Sequence, residues 1–197
     1  MRSGISSGEI NLFGAGLVEA EVGLVLAHDL PPKPDLSKYT PEEAWEAVDS
    51  VVAVIELCGR RSSRSCSAIP RLALFSDALM SGGVRVGRVR SRLDFTPAQL
   101  ASLATSLEVL SPDTSEGGQR VWRRRSISRG NSSTCANGGP VQALAWAANS
   151  LNERGLSLRK GHLVITGATA IATNFSISDR VIASLGELGS VETKIVP

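Results

Sequence analysis

The sequence predicts an α+β protein that is mainly β. Apolar, β-branched runs recur along the chain, and several alternate with polar residues as half-buried strands do. Two helices are expected, of which Val141 to Arg154 is strongly amphipathic and is followed directly by Gly155. Near the end, Arg180 to Leu185 and Ser190 to Val196 flank a glycine-bounded turn, which predicts a closing hairpin. The count is about seven strands with no internal repeat.

Length and composition indicate one folded domain. The chain has 197 residues, of which 42% are hydrophobic, and this is enough for one sizeable core. Residues 1–16 are rich in Gly and Ser, so we expect a loose lead-in there. Residues 17–197 are then expected to form the single domain.

Charge, cysteine usage and hydropathy argue against several classes of protein. A formal net charge of +2 is too small to indicate a nucleic-acid or membrane partner. The three cysteines, Cys58, Cys66 and Cys135, are widely spaced, which argues against a disulfide framework or a zinc site. No run reaches the roughly 18 to 20 apolar residues of a membrane span, and the first residues lack the apolar core of a secretory signal. We therefore expect a cytoplasmic protein.

The first predicted strand, Leu17 to His28, carries two carboxylates in an otherwise apolar segment. In a strand, Glu19 and Glu21 share one face, while the opposite face is apolar throughout: Val18, Ala20, Val22, Leu24 and Leu26. Carboxylates at i and i+2 lie roughly 6 to 7 Å apart at their Cα atoms, so they can converge on one cation. A half-exposed strand with two solvated glutamates explains the pattern equally well.

A second buried strand, Val51 to Leu57, follows a short helix and ends in another carboxylate. Thr40 is expected to cap this helix, which begins at Pro41 and runs to about Asp49. Glu56 either reaches solvent at the strand end or needs a cationic partner, because an unpaired buried carboxylate is costly. A metal ion shared with the two earlier glutamates is the best partner.

The middle of the chain offers weaker signals. Asp77 lies near the glycine turn that follows Ser81, and either a site aspartate or a turn aspartate fits there. A short strand is expected at Val84 to Val89. A longer one is expected from about Ser102 to Leu110, although a helix from Pro97 also fits.

The second half begins with a polar turn at Ser111 to Gly118. The basic run Val121 to Arg125 could bind phosphate or RNA, but one Trp among arginines is more typical of a solvated hairpin arm. The strand Leu163 to Gly167 ends in a Thr-Gly turn, a common place for ligand contacts.

Taken together, the motifs resemble the fumarylacetoacetate hydrolase superfamily, in its branch of 2-oxopent-4-enoate hydratases and 2-oxo-3-hexenedioate (4-oxalocrotonate) decarboxylases. The similarity extends from about Leu17 to Val196. It is carried by segments in family order: Val18 to Leu26, Tyr39 to Glu43, Ile55-Glu56, Ser76-Asp77 with Ser81 to Gly83, Gly139-Pro140 with Ala143 to Asn149, Gly161 to Gly167, and Leu188 to Val191.

The resemblance implies a β-roll of mixed sheets around a central site and a divalent cation held by Glu19, Glu21 and Glu56. Carboxylates suit Mg²⁺ or Mn²⁺, and the substrate would be a small 2-oxo or 2-hydroxydienoate acid that chelates the ion. Asp77 is then the candidate acid or base. Thr166, Gly167 and Ser81 are the candidate substrate contacts.

The resemblance also implies a metal-dependent lyase, a hydratase or a decarboxylase, that forms a homodimer or a higher homo-oligomer. An acylpyruvate-type C–C hydrolase is the near alternative, and a non-catalytic protein that only binds metal or a partner subunit is the other. Two departures favour the last. Residues 1–16 offer no lysine or lid to replace the family's longer N-terminal region, and Gly59 stands where the family has an acidic residue after Glu56.

Overall fold

Two β-sheets dominate the computed structural model, which describes residues 13–60, 73, 81–114, 120–172 and 175–196. The first sheet contains β1 (Phe13–Leu26), β2 (Val48–Arg60), β3 (Ser81–Val86), β4 (Arg90–Ser91), β7 (Leu163–Ile165) and β8 (Ala170–Ala172). The second contains β5 (Ala104–Thr114), β6 (Arg120–Asn131), β9 (Arg180–Leu185) and β10 (Ser190–Lys194). The helices with described bounds are α1 (Pro41–Glu46), α2 (Pro97–Leu100) and α3 (Pro140–Asn152).

The topology confirms the predicted class, an α+β protein that is mainly β. The first sheet has the order β3-β2-β1-β7, with β4 also paired to β2 and β8 to β1, and the second has the order β10-β9-β5-β6. All the pairings between described strands are antiparallel, so the expectation of mixed sheets is corrected for this part of the chain. Pairs such as β5–β6 and β9–β10 are neighbours in sequence and need no crossover connection.

The core lies on one face of β1. The predicted apolar face is confirmed, because Val18, Ala20, Val22 and Leu24 are 0% exposed and Leu26 is 2% exposed. The same core includes buried side chains of the second sheet: Leu107, Val109, Val181, Ala183 and Leu185. Alternation along β1 therefore directs Glu19 and Glu21 to the opposite face of the first sheet.

Helix α1 begins as its sequence predicts. The Thr40 side chain accepts from Glu43 N, and the Glu43 carboxylate accepts from Thr40 N, which is a complete capping box before Pro41. The helix ends at Glu46, before the predicted Asp49, because β2 starts already at Val48 and pairs with β1 there.

Two asparagines of α3 hold the proline-rich segment between β1 and α1. Asn149 accepts from Tyr39 N at 2.7 Å and donates to Tyr39 O at 3.0 Å. Asn152 accepts from Lys33 N at 2.8 Å and donates to Ser37 O at 3.0 Å. This segment lacks regular structure, so side-chain amides supply the hydrogen bonds that a strand partner would otherwise give it.

The hairpin of β5 and β6 is longer than predicted. The sequence allowed either a helix from Pro97 or a strand from about Ser102. The structure contains both in succession, α2 from Pro97 and β5 from Ala104. The turn expected from Ser111 is misplaced, because β5 continues to Thr114 and pairs with β6. The basic run lies on this arm, where Arg124 pairs with Glu108 and the Arg123 guanidinium pairs with Asp113.

Other differences concern short strands. β3 begins at Ser81 and ends at Val86, earlier than the predicted Val84 to Val89, and β4 and β8 were not predicted. β4 and β8 have only two and three residues, which is too short for the alternation of apolar and polar residues to be recognised in the sequence. β1 begins at Phe13, four residues before its predicted start, while the division into a lead-in and one domain stays a prediction. Within the described residues, no helix is long and apolar enough to cross a membrane.

Candidate active site around three glutamates

The register of the central strand pair brings the three glutamates together. Glu19 on β1 is the direct Cα partner of Glu56 on β2. Glu21 lies two residues further along β1, so it shares the face of Glu19. The two carboxylates of the first strand and the carboxylate of the second therefore form one cluster on the sheet face that points away from the core.

Burial and mutual repulsion make this cluster electrostatically costly. Glu21 is 2% exposed and Glu56 is 8% exposed, while Glu19 is half-buried. Burial, together with the charges of Glu56 and Glu19, raises the pKa of Glu21 to about 8 against the lowering effect of one backbone hydrogen bond. Burial and the charge of Glu56 also raise the pKa of Glu19. A bound divalent cation would relieve both effects, so the donor set fits a metal ion.

Gly167 holds Glu21 in position. Its backbone N–H donates to Glu21 Oε2 at 2.6 Å. Gly167 has φ +103°, and a Cβ atom added there would lie 3.2 Å from Ala136 N. Only glycine adopts this conformation without strain, so the Thr-Gly turn is built around the residue that fixes the carboxylate. Gly167 was predicted to contact the substrate. In the structure its N–H donates instead to Glu21, a candidate metal ligand.

Thr166 is buried and its hydroxyl proton is already used. It is 2% exposed, and its Oγ1 donates to Val22 O at 2.8 Å. The Cys135 sulfur lies 3.4 Å from the same oxygen. Thr166 therefore ties the turn after β7 to β1, and the predicted contact with substrate requires this hydrogen bond to open.

Ser81 lies on the same sheet as the cluster. It begins β3 and is the Cα partner of Cys58 on β2, two residues after Glu56. The predicted acid or base, Asp77, lies outside the described residues.

The face that carries the carboxylates is flanked by apolar side chains. Across the sheet, Ile171 on β8 is the partner of Glu19, and Val84 on β3 is the partner of Glu56. Ile171 is 45% exposed and Val84 is 44% exposed. One row across four strands thus places two carboxylates between two exposed hydrocarbon groups.

Cys58 joins the cluster, and the sequence interpretation missed it. Donor atoms of Glu19, Glu56 and Cys58 lie within 4.8 Å of one another. Burial, with the nearby charge of Glu56, raises the pKa of the Cys58 thiol. The sequence carries a signal for this residue, because Cys58 follows Glu56 at the same i, i+2 spacing that pairs the first two glutamates.

No family model matches the sequence. A 2-keto-4-pentenoate hydratase from Paraburkholderia xenovorans strain LB400 is 30% identical over 178 residues, which cover 90% of this chain and 58% of the hydratase. A 4-oxalocrotonate decarboxylase from Pseudomonas putida G7, solved in complex with magnesium and adipate, has a TM-score of 0.71 at 22% identity, covering 92% of this chain and 60% of the decarboxylase. A fumarylacetoacetate hydrolase from Exiguobacterium antarcticum has a TM-score of 0.60 at 15% identity, covering 95% of this chain and 59% of that protein.

The chain thus spans less than two thirds of the length of these relatives, 58% for the hydratase. Sequence similarity to the hydratase and the shared fold agree with the motifs that pointed to the same group. The comparisons thus support the resemblance that the motifs indicated: in sequence the chain is similar to 2-keto-4-pentenoate hydratases, and it shares the fold of the 4-oxalocrotonate decarboxylase and of the fumarylacetoacetate hydrolase.

Proposed function

We propose that this chain is a divalent-metal-dependent lyase, a hydratase or decarboxylase, that acts on a small 2-oxo or 2-hydroxydienoate acid. The observation that carries the proposal is the buried carboxylate cluster on β1 and β2, in which Glu19 and Glu56 are direct strand partners. The names of the hydratase and decarboxylase relatives support the reaction class.

Glu19, Glu21 and Glu56 would hold the ion, with Mg²⁺ or Mn²⁺ as the proposed occupant. Hard cations of this kind prefer carboxylate oxygens and keep positions open for other ligands. The magnesium in the decarboxylase neighbour supports the choice. When bound, such an ion supplies Lewis acidity that stabilises negative charge developing on a 2-oxo acid.

The chain's own residues position this chemistry. Gly167 N–H fixes the Glu21 carboxylate, and the Thr166 hydroxyl fixes the turn that carries Gly167. The exposed Val84 and Ile171 flank the carboxylates and would contact the hydrocarbon part of a bound acid. A substrate with a charged chelating end and an apolar remainder matches this arrangement.

Proton transfer needs a further group, for which we propose Asp77. Ser81 at the start of β3 is the proposed polar contact for the far end of the substrate, since it lies on the strand next to Glu56. Thr166 and Gly167 are the proposed contacts for the substrate carboxylate. Without substrate, the Thr166 hydroxyl donates to Val22 O and the Gly167 N–H donates to Glu21.

The test is turnover by the purified chain with each of two probes, 2-hydroxypenta-2,4-dienoate and 2-oxo-3-hexenedioate. Loss of the dienoate's ultraviolet absorbance reports hydration, and release of CO₂ reports decarboxylation. We expect Mg²⁺ or Mn²⁺ to be required and EDTA to stop the reaction.

Variants link the reaction to the site. Glu56→Gln should lower turnover by more than about tenfold, because losing even an outer-shell partner of a metal site costs about that much. Glu192→Gln, which changes a glutamate paired with Arg180 on the second sheet, is the matched control and should retain activity. If neither probe reacts while Mn²⁺ still binds, the lyase proposal is wrong and a non-catalytic metal-binding protein remains. Cleavage of an acylpyruvate alone would instead favour the C–C hydrolase.

A further inference from the structure

Cys58 is placed by the same strand register as the glutamates. On β2 it is the partner of Leu17, and the pairing from Leu17–Cys58 to Glu19–Glu56 is continuous. Because side chains alternate along a strand, Cys58 and Glu56 share one face, which is also the face of Glu19. The Cys58 side chain therefore leaves β2 on the same side of the sheet as the two carboxylates.

The Cys58 thiol is buried, and among the described residues it has no hydrogen-bond partner. Cys58 is 6% exposed. Cys135 is a useful contrast. It is 3% exposed, but its sulfur contacts Thr166 Oγ1 at 3.4 Å and Gly167 O at 3.7 Å. Cys135 is thus accounted for by local hydrogen bonding, whereas Cys58 is directed at two carboxylates.

The spacing suits coordination of one ion. The donor atoms of Cys58, Glu19 and Glu56 lie within 4.8 Å of one another. Ligand distances of about 2.0 to 2.3 Å around zinc place the donors of one ion roughly 3 to 4.5 Å apart, so small side-chain rotations suffice. Thiolate ligands favour softer ions, whereas carboxylate-only sites favour Mg²⁺ and Mn²⁺.

We propose that Cys58, with Glu19 and Glu56, gives this pocket a second mode of cation binding, in which the sulfur coordinates a thiophilic divalent ion such as Zn²⁺, Co²⁺ or Cd²⁺. On binding, the S–H bond is replaced by a sulfur–metal bond, and the proton passes to solvent. This inference rests on the proposed function in one respect, because both assign Glu19 and Glu56 as metal ligands. The consequence is a site whose metal preference is shifted away from Mg²⁺ by one side chain.

The experiment is a titration of the metal-free, reduced full chain with Co²⁺, followed by competition with Cd²⁺ and Mg²⁺. We expect a thiolate-to-Co²⁺ charge-transfer absorption in the near ultraviolet. Cys58→Ser should abolish this absorption and reduce the preference for Cd²⁺ over Mg²⁺ by more than about tenfold, since it removes a direct ligand. Stabilisation by Mg²⁺ should persist in the variant.

Two controls isolate the sulfur. Cys66→Ser should keep the absorption, which would exclude Cys66 as the source of the coordinating sulfur. If Cys58→Ser does not fold, as judged by circular dichroism, Cys58→Ala provides the same readout. Lack of the absorption in the wild type, or its persistence without Cys58, overturns the proposal. If the Co²⁺ absorption appears but neither probe acid is turned over, only the lyase proposal is rejected. If a probe acid is turned over with Mg²⁺ but the absorption does not appear, only the role of Cys58 is rejected.

Discussion

The raised pKa of Glu21 makes the stability of the metal-free protein depend on pH. Burial, with the charges of Glu56 and Glu19, raises the pKa of this carboxyl to about 8 in the folded chain, against 4.5 for an ordinary glutamate. The folded state therefore holds this proton more tightly than the unfolded state does. Its contribution to the free energy of unfolding is fully present below pH 4.5 and is lost as the pH rises through about 8.

The size of this contribution follows from the shift. Each pKa unit corresponds to about 1.4 kcal/mol, so the rise from 4.5 to about 8 at Glu21 amounts to about 5 kcal/mol in the metal-free protein above pH 8. Glu21→Gln removes the ionisation but keeps an oxygen that can accept from Gly167 N–H. We expect the variant to be more stable than the wild type near pH 8 without metal, and to lose most of the decline in stability between pH 5 and pH 8.

Metal should reverse the order of the two proteins. Mg²⁺ competes with the proton for Glu21, so it should stabilise the wild type more at pH 8 than at pH 6, and Glu21→Gln should respond weakly at both. Urea denaturation with EDTA or with excess Mg²⁺ across this pH range measures both effects. Glu192→Gln, an exposed glutamate in an ion pair on the second sheet, is the control. Equal pH dependence in wild type and Glu21→Gln would refute the reasoning.

Three further outcomes are expected. Gly167→Ala should destabilise the protein by about 1 to 3 kcal/mol in chemical denaturation and weaken Mn²⁺ binding, because the turn has φ +103° and carries the donor to Glu21; unchanged Mn²⁺ affinity would contradict this role. Asp77→Asn should slow turnover by on the order of 10²- to 10⁴-fold in the dienoate assay while leaving Mn²⁺ affinity near wild type, and a parallel loss of affinity would argue against an acid–base role. Sedimentation should give a homodimer, since the exposed Val86, Val89 and Leu93, which lie outside the proposed site, need cover, and a monomer at micromolar concentration would reject it.

The central strands were predictable because their pattern is long and regular. The alternation from Val18 to Leu26 contains enough residues to define a face, and any charge on the other face then stands out. Glu56 was visible for a similar reason, as a charge in a continuous apolar run. A buried carboxylate has few physical explanations, so two buried glutamates and a half-buried one in paired strands favour a cation site.

Other features depend on contacts that a single segment does not encode. The turn between β5 and β6 was misplaced because polar residues such as Asp113 belong to a solvent-facing hairpin, where they pair with arginines of the neighbouring strand. The hydrogen bond from Gly167 to Glu21 joins residues far apart in sequence, so only the fold reveals it. The i, i+2 spacing places Cys58 on the face of Glu56, but its position beside the second carboxylate, Glu19, follows only from the register of β2 against β1.

The alignment of Glu19 with Glu56 is itself a product of the core. Side chains on a strand have a period of two, so a slip of β1 by one residue against its neighbours would turn Glu19 and Glu21 into the apolar interior and bring Val18 and Ala20 out. Burying carboxylates without partners costs several kcal/mol each, far more than a slipped backbone ladder could recover. The same apolar side chains that stabilise the fold therefore also hold the two carboxylates opposite each other. A core substitution that loosened this register should therefore weaken the proposed metal binding without changing any of the three glutamates.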